Sequence, residues 1–202
     1  MPFGPSGGYP PLFHVFHFYQ GDPFSLTTTH YNDLVYLMGG VHGLNTGAGN
    51  DIIYSQGQSE IRAGSGDDVV CSLGRDYMVD GGTGNDTLYG STSHDNLSGG
   101  GEGDLILAGT GGDYIKGGTG DDTLSGGSGS DFFDFDVGDG HDIITDYQAG
   151  IDVIAISFFG SGERPDVSYE KIGPDWVITY GSDGATITLH SEVFNPDDLL
   201  IA

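Results

Sequence analysis

Three stretches of the sequence decide the fold: GGTGNDTLY at residues 81–89, GGTGDDTLS at 117–125 and GGSGSDFFD at 126–134. They are copies of one nine-residue pattern, with glycine at positions one, two and four, aspartate at position six and an apolar residue at position eight. Weaker copies with an acidic sixth residue occupy 63–71, 90–98, 99–107 and 108–116. The repeat therefore dominates the chain from about residue 46 to residue 135.

Each repeat encodes a tight turn followed by a very short strand. The glycines permit the positive φ angles of the turn, and the strand after it points one side chain inward. The inward residues are Ile53, Ile61, Val70, Val79, Leu88, Leu97, Ile106, Ile115, Leu124 and Phe133. One repeat cannot bury its apolar residue alone, so the pattern predicts an all-β fold, a parallel β-roll with two repeats in each coil.

The segments on either side of the repeats also favour β structure. Residues 1–45 form a lead-in with predicted strands at 12–19 and 34–38, which are rich in aromatic and β-branched residues. In residues 136–202, two alternating runs at 176–180 and 185–190 are joined by GSDG and predict a hairpin. We therefore predict three parts, 1–45, 46–135 and 136–202, with β-strand caps at both ends of the roll.

The sequence is strongly acidic. Thirty Asp and Glu face five Lys and Arg, which gives a net charge of −25. Nucleic acid is excluded as a partner on this charge, and a compact state would repel itself unless cations neutralise it. The single cysteine excludes an intramolecular disulfide, and no apolar run reaches membrane length. Residues 1–11 lack the features of a cleaved signal peptide, which leaves cytosolic residence or export by another route open.

The sixth position predicts metal sites. Its aspartates are Asp51, Asp68, Asp86, Asp95, Asp104, Asp113, Asp122 and Asp131. With two repeats per coil, loops eighteen residues apart lie above one another, so Asp86, Asp104 and Asp122 form one column and Asp95, Asp113 and Asp131 form another. Carboxylates and loop carbonyls suit Ca²⁺ better than Mg²⁺, while zinc and copper lack their preferred ligands. The alternative is a calcium-free roll in which aspartate serves only as a turn residue.

The repeats resemble the calcium-binding nonapeptide of RTX (repeats-in-toxin) proteins. Residues 131–157, DFFDFDVGDGHDIITDYQAGIDVIAIS, are similar to the segment that closes the β-roll of serralysin-type secreted peptidases. The resemblance implies a right-handed parallel β-roll that binds several Ca²⁺ ions between its loops and folds outside the cell. It also implies an uncleaved C-terminal signal for type I secretion, which DDLLI at 197–201 resembles.

The resemblance further implies that residues of the turns, through their backbone carbonyls, join the aspartates as metal ligands. These residues, with one aspartate after the last repeat, are Gly81, Gly82, Thr83, Gly84, Asn85, Gly99, Gly100, Gly109, Gly111, Gly117, Gly118, Thr119, Gly120, Asp121, Gly126, Gly127, Ser128 and Asp142. Ser59, Tyr77 and Glu102 depart from the pattern, so metal binding by their loops is in doubt.

HExxH is absent from the sequence, and GxSxG occurs only as GPSGG at residues 4–8, within a Pro/Gly stretch. We therefore predict no catalytic residues. His14, His17, His30 and His42 favour surface or packing roles, because His14 and His17 would face opposite sides of a strand. Cys71 has no basic neighbour that would activate it. Trp176 and Tyr180 could line a sugar-binding surface, although packing is the more usual role of aromatic residues in a hairpin.

The leading prediction is a non-enzymatic, secreted calcium-binding protein whose partners are calcium ions and the type I secretion machinery. Two alternatives stay open. One is a secretion and stability module of an extracellular enzyme, and the other is a calcium-dependent carbohydrate-binding or adhesive protein with a cell-surface polysaccharide as its partner.

Overall fold

The computed structural model describes residues 14–19, 25–27, 30–38, 42–74, 78–157 and 166–201. Predictions for Leu12 and Phe13, for the Pro/Gly stretch at 1–11 and for Tyr77 lie outside these residues. Within them the chain is almost entirely β structure, with one 3-10 turn at Pro196–Asp198.

The strands are short and follow one another closely. In the first half they are β1 (His14–Tyr19), β2 (Ser25–Thr27), β3 (Asp33–Met38), β4 (His42–Ala48), β5 (Ile52–Ser55), β6 (Ser59–Ser65), β7 (Val69–Ser72), β8 (Met78–Thr83), β9 (Thr87–Tyr89), β10 (Asn96–Gly101) and β11 (Leu105–Leu107). In the second half they are β12 (Thr110–Gly111), β13 (Tyr114–Thr119), β14 (Thr123–Ser125), β15 (Ser128–Gly129), β16 (Phe132–Asp136), β17 (His141–Ile144), β18 (Val153–Ser157), β19 (Val167–Ile172), β20 (Asp175–Tyr180), β21 (Ala185–Leu189) and β22 (Leu199–Ile201).

These strands form two long sheets that enclose one core. Sheet 1 has the order β1-β3-β5-β7-β9-β11-β14-β17-β21-β20-β19, and sheet 2 has the order β2-β4-β6-β8-β10-β13-β16-β18-β22. The chain alternates between the sheets, so each coil contributes one strand to each, and β12 and β15 form a small third sheet. The predicted parallel β-roll is confirmed.

The apolar ladder is also confirmed. All ten eighth-position residues are at most 1% exposed. In sheet 1, Leu88, Ile106 and Leu124 are aligned, each eighteen residues from the next. In sheet 2, Leu97 is aligned with both Val79 and Ile115 in the same way. Two repeats therefore make one coil.

The coils continue outside the clearest repeats. β1 pairs in parallel with β3, and β2 with β4, within the lead-in. After Phe135 the spacing lengthens, since Ile144 aligns with Leu124 and Ile154 with Phe133, but the pairing stays parallel. The division of the chain at residues 45 and 135 remains a prediction.

The C-terminal end of sheet 1 is an antiparallel addition. β20 and β21 form the predicted hairpin, and β19 adds one more antiparallel strand. Phe194 packs against Trp176 and Tyr147, with ring centroids 5.7 and 6.1 Å away. This aromatic cluster covers the last coil of the core.

Close stacking of the turns predicts a large penalty for one added methyl group. Gly118 has φ +110, and a Cβ there would overlap the carbonyl oxygen of Gly100 one coil earlier. We expect Gly118→Ala to destabilise the protein by about 3 kcal/mol, from left-handed strain and overpacking together. Gly173 has φ +67 with open space around it, so Gly173→Ala should cost only about 1 kcal/mol. Urea unfolding of both variants in calcium measures the difference, and equal losses would contradict this account of the stacked turns.

Candidate metal sites

The sixth-position aspartates lie at the end of each turn, immediately before a strand of the roll. Although they are acidic residues, all eight are buried, with 1–4% of each exposed. Two further aspartates, Asp33 and Asp152, and the predicted Asp142 are equally buried at equivalent positions. Burial of so many carboxylates requires specific partners, because an unpaired buried charge is strongly unfavourable.

One column of aspartates runs along nearly the whole roll. The backbone N–H of each aspartate donates to Oδ1 of the aspartate one coil further on. The N···O distances are 2.7 Å for Asp33 to Asp51, 2.7 Å for Asp51 to Asp68, 2.8 Å for Asp68 to Asp86, 2.7 Å for Asp86 to Asp104, 2.7 Å for Asp104 to Asp122 and 3.0 Å for Asp122 to Asp142. We call this set column 1.

A shorter column lies on the opposite edge. Its N···O distances are 2.8 Å for Asp95 to Asp113, 2.9 Å for Asp113 to Asp131 and 3.1 Å for Asp131 to Asp152. We call this set column 2. The structure thus brings together the residues that the sequence placed in each column.

The second carboxylate oxygen of most of these aspartates has no hydrogen-bond partner. The buried, unpartnered atoms are Oδ2 of Asp51, Asp68, Asp86, Asp104, Asp113, Asp122, Asp131 and Asp142. The Oδ2 atom of Asp86 occupies the space that a side chain at Gly81 would fill, close to the carbonyl oxygen of Gly99. Each such oxygen costs about 1–3 kcal/mol unless a proton or a cation satisfies it.

Backbone carbonyls supply more oxygen atoms between the loops. The carbonyl oxygens of Gly82 and Gly100 point along column 1 at the glycine one coil further on, where a side chain would overlap them. No three His, Cys, Asp or Glu side chains among the described residues converge on one point. A cation would therefore need carbonyl ligands as well as carboxylates, a donor set that suits Ca²⁺.

Burial raises the pKa of the stacked carboxyls. The pKa is raised to about 6 for Asp51, Asp86, Asp113 and Asp122, and to about 8 for Asp68, Asp104 and Asp142. Burial is the main cause in each case, and the neighbouring aspartates raise the pKa further. Without a cation, Asp68, Asp104 and Asp142 of column 1 therefore hold protons near neutral pH.

A family model of the RTX calcium-binding nonapeptide repeat, which comprises four copies, matches residues 78–106 and 107–144. Residues 78–144 are RTX calcium-binding repeats. The match covers the loops in which the two columns run side by side.

Solved structures that are similar to the chain include the following two. One is the AlgE6R3 subunit of the Azotobacter vinelandii mannuronan C5-epimerase, with 24% identity, TM-score 0.43, and coverage of 68% of this chain and 80% of that one. Another is the extracellular lipase LipA of Serratia marcescens, with 17% identity, TM-score 0.38, and coverage of 91% of this chain and 40% of the lipase. No curated protein sequence matches the chain. The assignment therefore depends on the RTX repeats.

The fifth-position residues of the RTX loops lie outside the columns. Asn85 and Asp121 are exposed, and their Oδ1 atoms accept from backbone N–H groups of the next loop, Gly103 at 3.3 Å and His141 at 3.0 Å. Thr83, Thr119 and Ser128 are also exposed on the turns. In the structure, the side chains of Asn85 and Asp121 therefore make hydrogen bonds between neighbouring loops.

Glu102 changes the backbone conformation and the hydrogen bonding of its loop. It occupies a position where the neighbouring RTX loops have glycine, and its φ of +71 is left-handed. Its Oε2 accepts the N–H of Gly84 at 2.9 Å, and its charge raises the pKa of both Asp86 and Asp104. Ser59, the other described departure, is buried beside Ser55, with their hydroxyls 3.5 Å apart. Metal binding by Asp104 in the Glu102 loop remains a prediction, and none is made for the Ser59 loop.

Sequence analysis missed one end of each column, Asp33 in column 1 and Asp152 in column 2. Asp33 lies in NDLVY at 32–36 and Asp152 in IDVIA at 151–155, and both repeat the acidic and apolar spacing of NDTLY. The first two glycines of the repeat are absent before both aspartates, and only Gly150 before Asp152 matches the fourth position, so the nine-residue pattern did not include them. The spacing of aspartate two residues before an apolar residue, Val35 and Ile154 here, is the signal in the sequence that points to both.

The residues considered for other chemistry have packing partners. His14 lies 3.4 Å from Asp33 and edge-on to Tyr31, whereas His17 stacks on Tyr36. His30 is exposed, and the side chain of His42 lies outside the described set. Cys71 is half-buried, and burial raises the pKa of its thiol, which disfavours a nucleophile.

The hairpin aromatics do not form a sugar-binding surface. Tyr180 is fully buried, and Trp176 packs on Phe194 and Tyr169. The packing role is therefore the one that the structure supports. No helix among the described residues could cross a membrane.

The raised pKa values predict how the metal-free roll responds to pH. An unfolded aspartate loses its proton near pH 4, whereas Asp86 and Asp104 in the roll keep theirs until about 6 and about 8. Stability is therefore fully present below about pH 4 and is lost as the pH rises through 6 to 8. We expect a lower urea midpoint for metal-stripped protein at about pH 8.5 than at about pH 5. A midpoint that rises with pH would contradict the burial of these carboxyls.

Proposed function

We propose that this chain is a secreted, non-enzymatic protein whose folding is driven by Ca²⁺ bound between the stacked RTX loops. The observation that carries the proposal is the pair of buried aspartate columns, in which one oxygen of each carboxylate is hydrogen-bonded and the other, in most, is unpartnered.

The columns leave the metal-free roll electrostatically unfavourable at neutral pH. Adjacent carboxylates in a column repel one another, and the chain carries a net charge of −25. Each divalent cation placed between two loops would neutralise two carboxylates and satisfy oxygens that otherwise lack partners. The binding free energy of several ions would then offset both the repulsion and the loss of chain entropy.

Folding would therefore be linked to calcium concentration. A ligand that binds the folded state and not the unfolded state stabilises the fold in proportion to the logarithm of its concentration. With several sites in each chain, the dependence is steep and cooperative. We propose that the chain is largely unfolded at the low calcium of the cytosol and folds where calcium is millimolar.

The proposed ligands are the sixth-position aspartates together with the carbonyls of the turns. In this proposal Oδ1 keeps its hydrogen bond to the neighbouring coil, and Oδ2 becomes the metal ligand. Asp95 is the exception, because its Oδ2 accepts from the backbone N–H and the hydroxyl of Ser91 at 2.6 and 2.9 Å. Each carboxylate would then connect its own coil to a neighbouring coil in two ways, through the hydrogen bond at Oδ1 and through the cation at Oδ2.

We further propose export by type I secretion, for which the RTX repeats and the C-terminal segment are the support. The 3-10 turn at Pro196–Asp198 leads into β22, which pairs with β18 at the end of sheet 2. A signal in this segment would be accessible before folding and incorporated into the sheet afterwards. Folding that waits for external calcium would keep the chain extended during passage.

The first test is far-UV circular dichroism of metal-stripped protein titrated with Ca²⁺ at about pH 7.5. We expect a cooperative gain of β signal with calcium and none with Mg²⁺ at the same concentration. A metal-stripped protein that is already folded at this pH and indifferent to calcium would overturn the proposal and leave the aspartates as turn residues.

The second test separates a metal ligand from a turn residue at one position. Asp86→Asn keeps the Oδ1 acceptor for the N–H of Asp68 but removes the buried charge. We expect it to stabilise the metal-free roll by about 1 kcal/mol and to weaken calcium binding at least tenfold. A turn role predicts the same shift with and without calcium.

The matched control is Asp67→Asn at the exposed fifth position, whose Oδ1 accepts the N–H of Asn85 at 2.9 Å. This change also removes one charge and keeps the acceptor, but outside the columns. Calorimetric calcium titration should therefore distinguish it clearly from Asp86→Asn, and equal losses of affinity would refute the column assignment.

A further inference from the structure

The two sheets differ in the chemistry of their outward faces. On sheet 2, outward positions include Glu60, Arg62, Asp80, Lys116 and Asp134. On sheet 1, the outward positions of β3 to β17 carry no Asp, Glu, Lys or Arg, although 17% of the whole sequence is charged. At that frequency, the fifteen outward positions of these seven strands would carry about two or three charged residues.

The uncharged side chains form two straight rows across sheet 1, which we call the apolar face. Strand pairing aligns Leu34, Ile52 and Val69 in the first row, and Leu105 follows after Thr87. Each of these four is half-buried. The inner face of the same strands forms the core, so this apolar surface lies on the outside of the roll.

The second row is largely aromatic. Tyr36 stacks on Tyr54 with centroids 5.3 Å apart and planes 11° from parallel, and Cys71 and Tyr89 continue the row. Because the rings of Tyr36 and Tyr54 lie face to face, their edges point outward. Sugar rings pack on exposed aromatic faces, so this row does not favour a carbohydrate ligand.

We propose that the apolar face is the contact surface of a homodimer, in which two rolls pack sheet 1 against sheet 1. Two β-sheets pack face to face through side chains that interdigitate, and a second copy presents the same spacing of about 4.8 Å between neighbouring strands. Two-fold symmetry would make the contact self-complementary.

The charge distribution favours this partner and sets its conditions. Two chains of net charge −25 repel each other, and the apolar face is the region where they can approach without opposing side-chain charges. If calcium neutralises the columns as proposed above, the repulsion falls further, so the dimer rests on the proposed function. The dimer should strengthen as salt screens the remaining charge.

The size of the face predicts a weak dimer. Seven strands at about 4.8 Å spacing and a width of about 10 Å give roughly 300–350 Å² per copy. This is less than half of the roughly 800 Å² per partner of a standard interface. The association should therefore be reversible and depend on protein concentration.

The test is sedimentation velocity in calcium over about a hundredfold range of protein concentration, with folding checked by circular dichroism in each sample. We expect a monomer–dimer equilibrium that shifts towards dimer when the salt concentration is raised. Tyr89→Ser should raise the dissociation constant at least tenfold, because it removes a 41%-exposed ring from both halves of the contact.

The matched control is Tyr114→Ser, which removes a 38%-exposed tyrosine ring from the outward face of sheet 2 and should leave the dissociation constant unchanged. A folded protein that stays monomeric at every concentration, or equal effects of the two substitutions, would overturn the dimer. Failure to fold in calcium would instead overturn the proposed function, and the circular dichroism check distinguishes the two results.

Discussion

The structure depends on one repeated interaction, the hydrogen bond from the backbone N–H of a buried aspartate to the carboxylate of the aspartate one coil further on. It fixes the height of each coil at one strand spacing, because donor and acceptor belong to consecutive turns. It also forces the charged groups into the interior edge of the roll, where burial raises the pKa of Asp68 and Asp104 to about 8. The hydrogen bond that stacks the coils therefore also buries carboxylates that a cation would stabilise.

The glycines make this arrangement geometrically feasible. Carbonyl oxygens of one turn point at the Cα of the glycine in the next, as between Gly82 and Gly100, so a side chain there would separate the coils. Where the sequence departs from glycine, as at Glu102, the backbone adopts a different left-handed conformation and the side chain takes over a backbone hydrogen bond. The turn thus tolerates an exception only with a local change of its hydrogen bonding.

Much of the fold could be predicted from the sequence because its two decisive positions repeat with a constant spacing. The buried ladder through Leu88 and Ile106, and the columns through Asp86 and Asp113, follow directly from that period. Asp33 and Asp152 were missed because the residues before them lack the first two glycines of the repeat, and because the coil that ends at Asp152 is 21 residues long instead of 18. Burial of Tyr180 and the packing of Phe194 on Trp176 depend on contacts across the cap, for which a local pattern carries no information.

The unequal length of the two columns has a mechanical consequence. Among the described residues, column 1 begins at Asp33 and column 2 only at Asp95, so the N-terminal coils carry an aspartate column along one edge and the C-terminal coils along both. The parallel pairing of both sheets is common to the two groups of coils. A pulling force applied at the N-terminus should therefore meet less resistance in the coils with one column than in those with two.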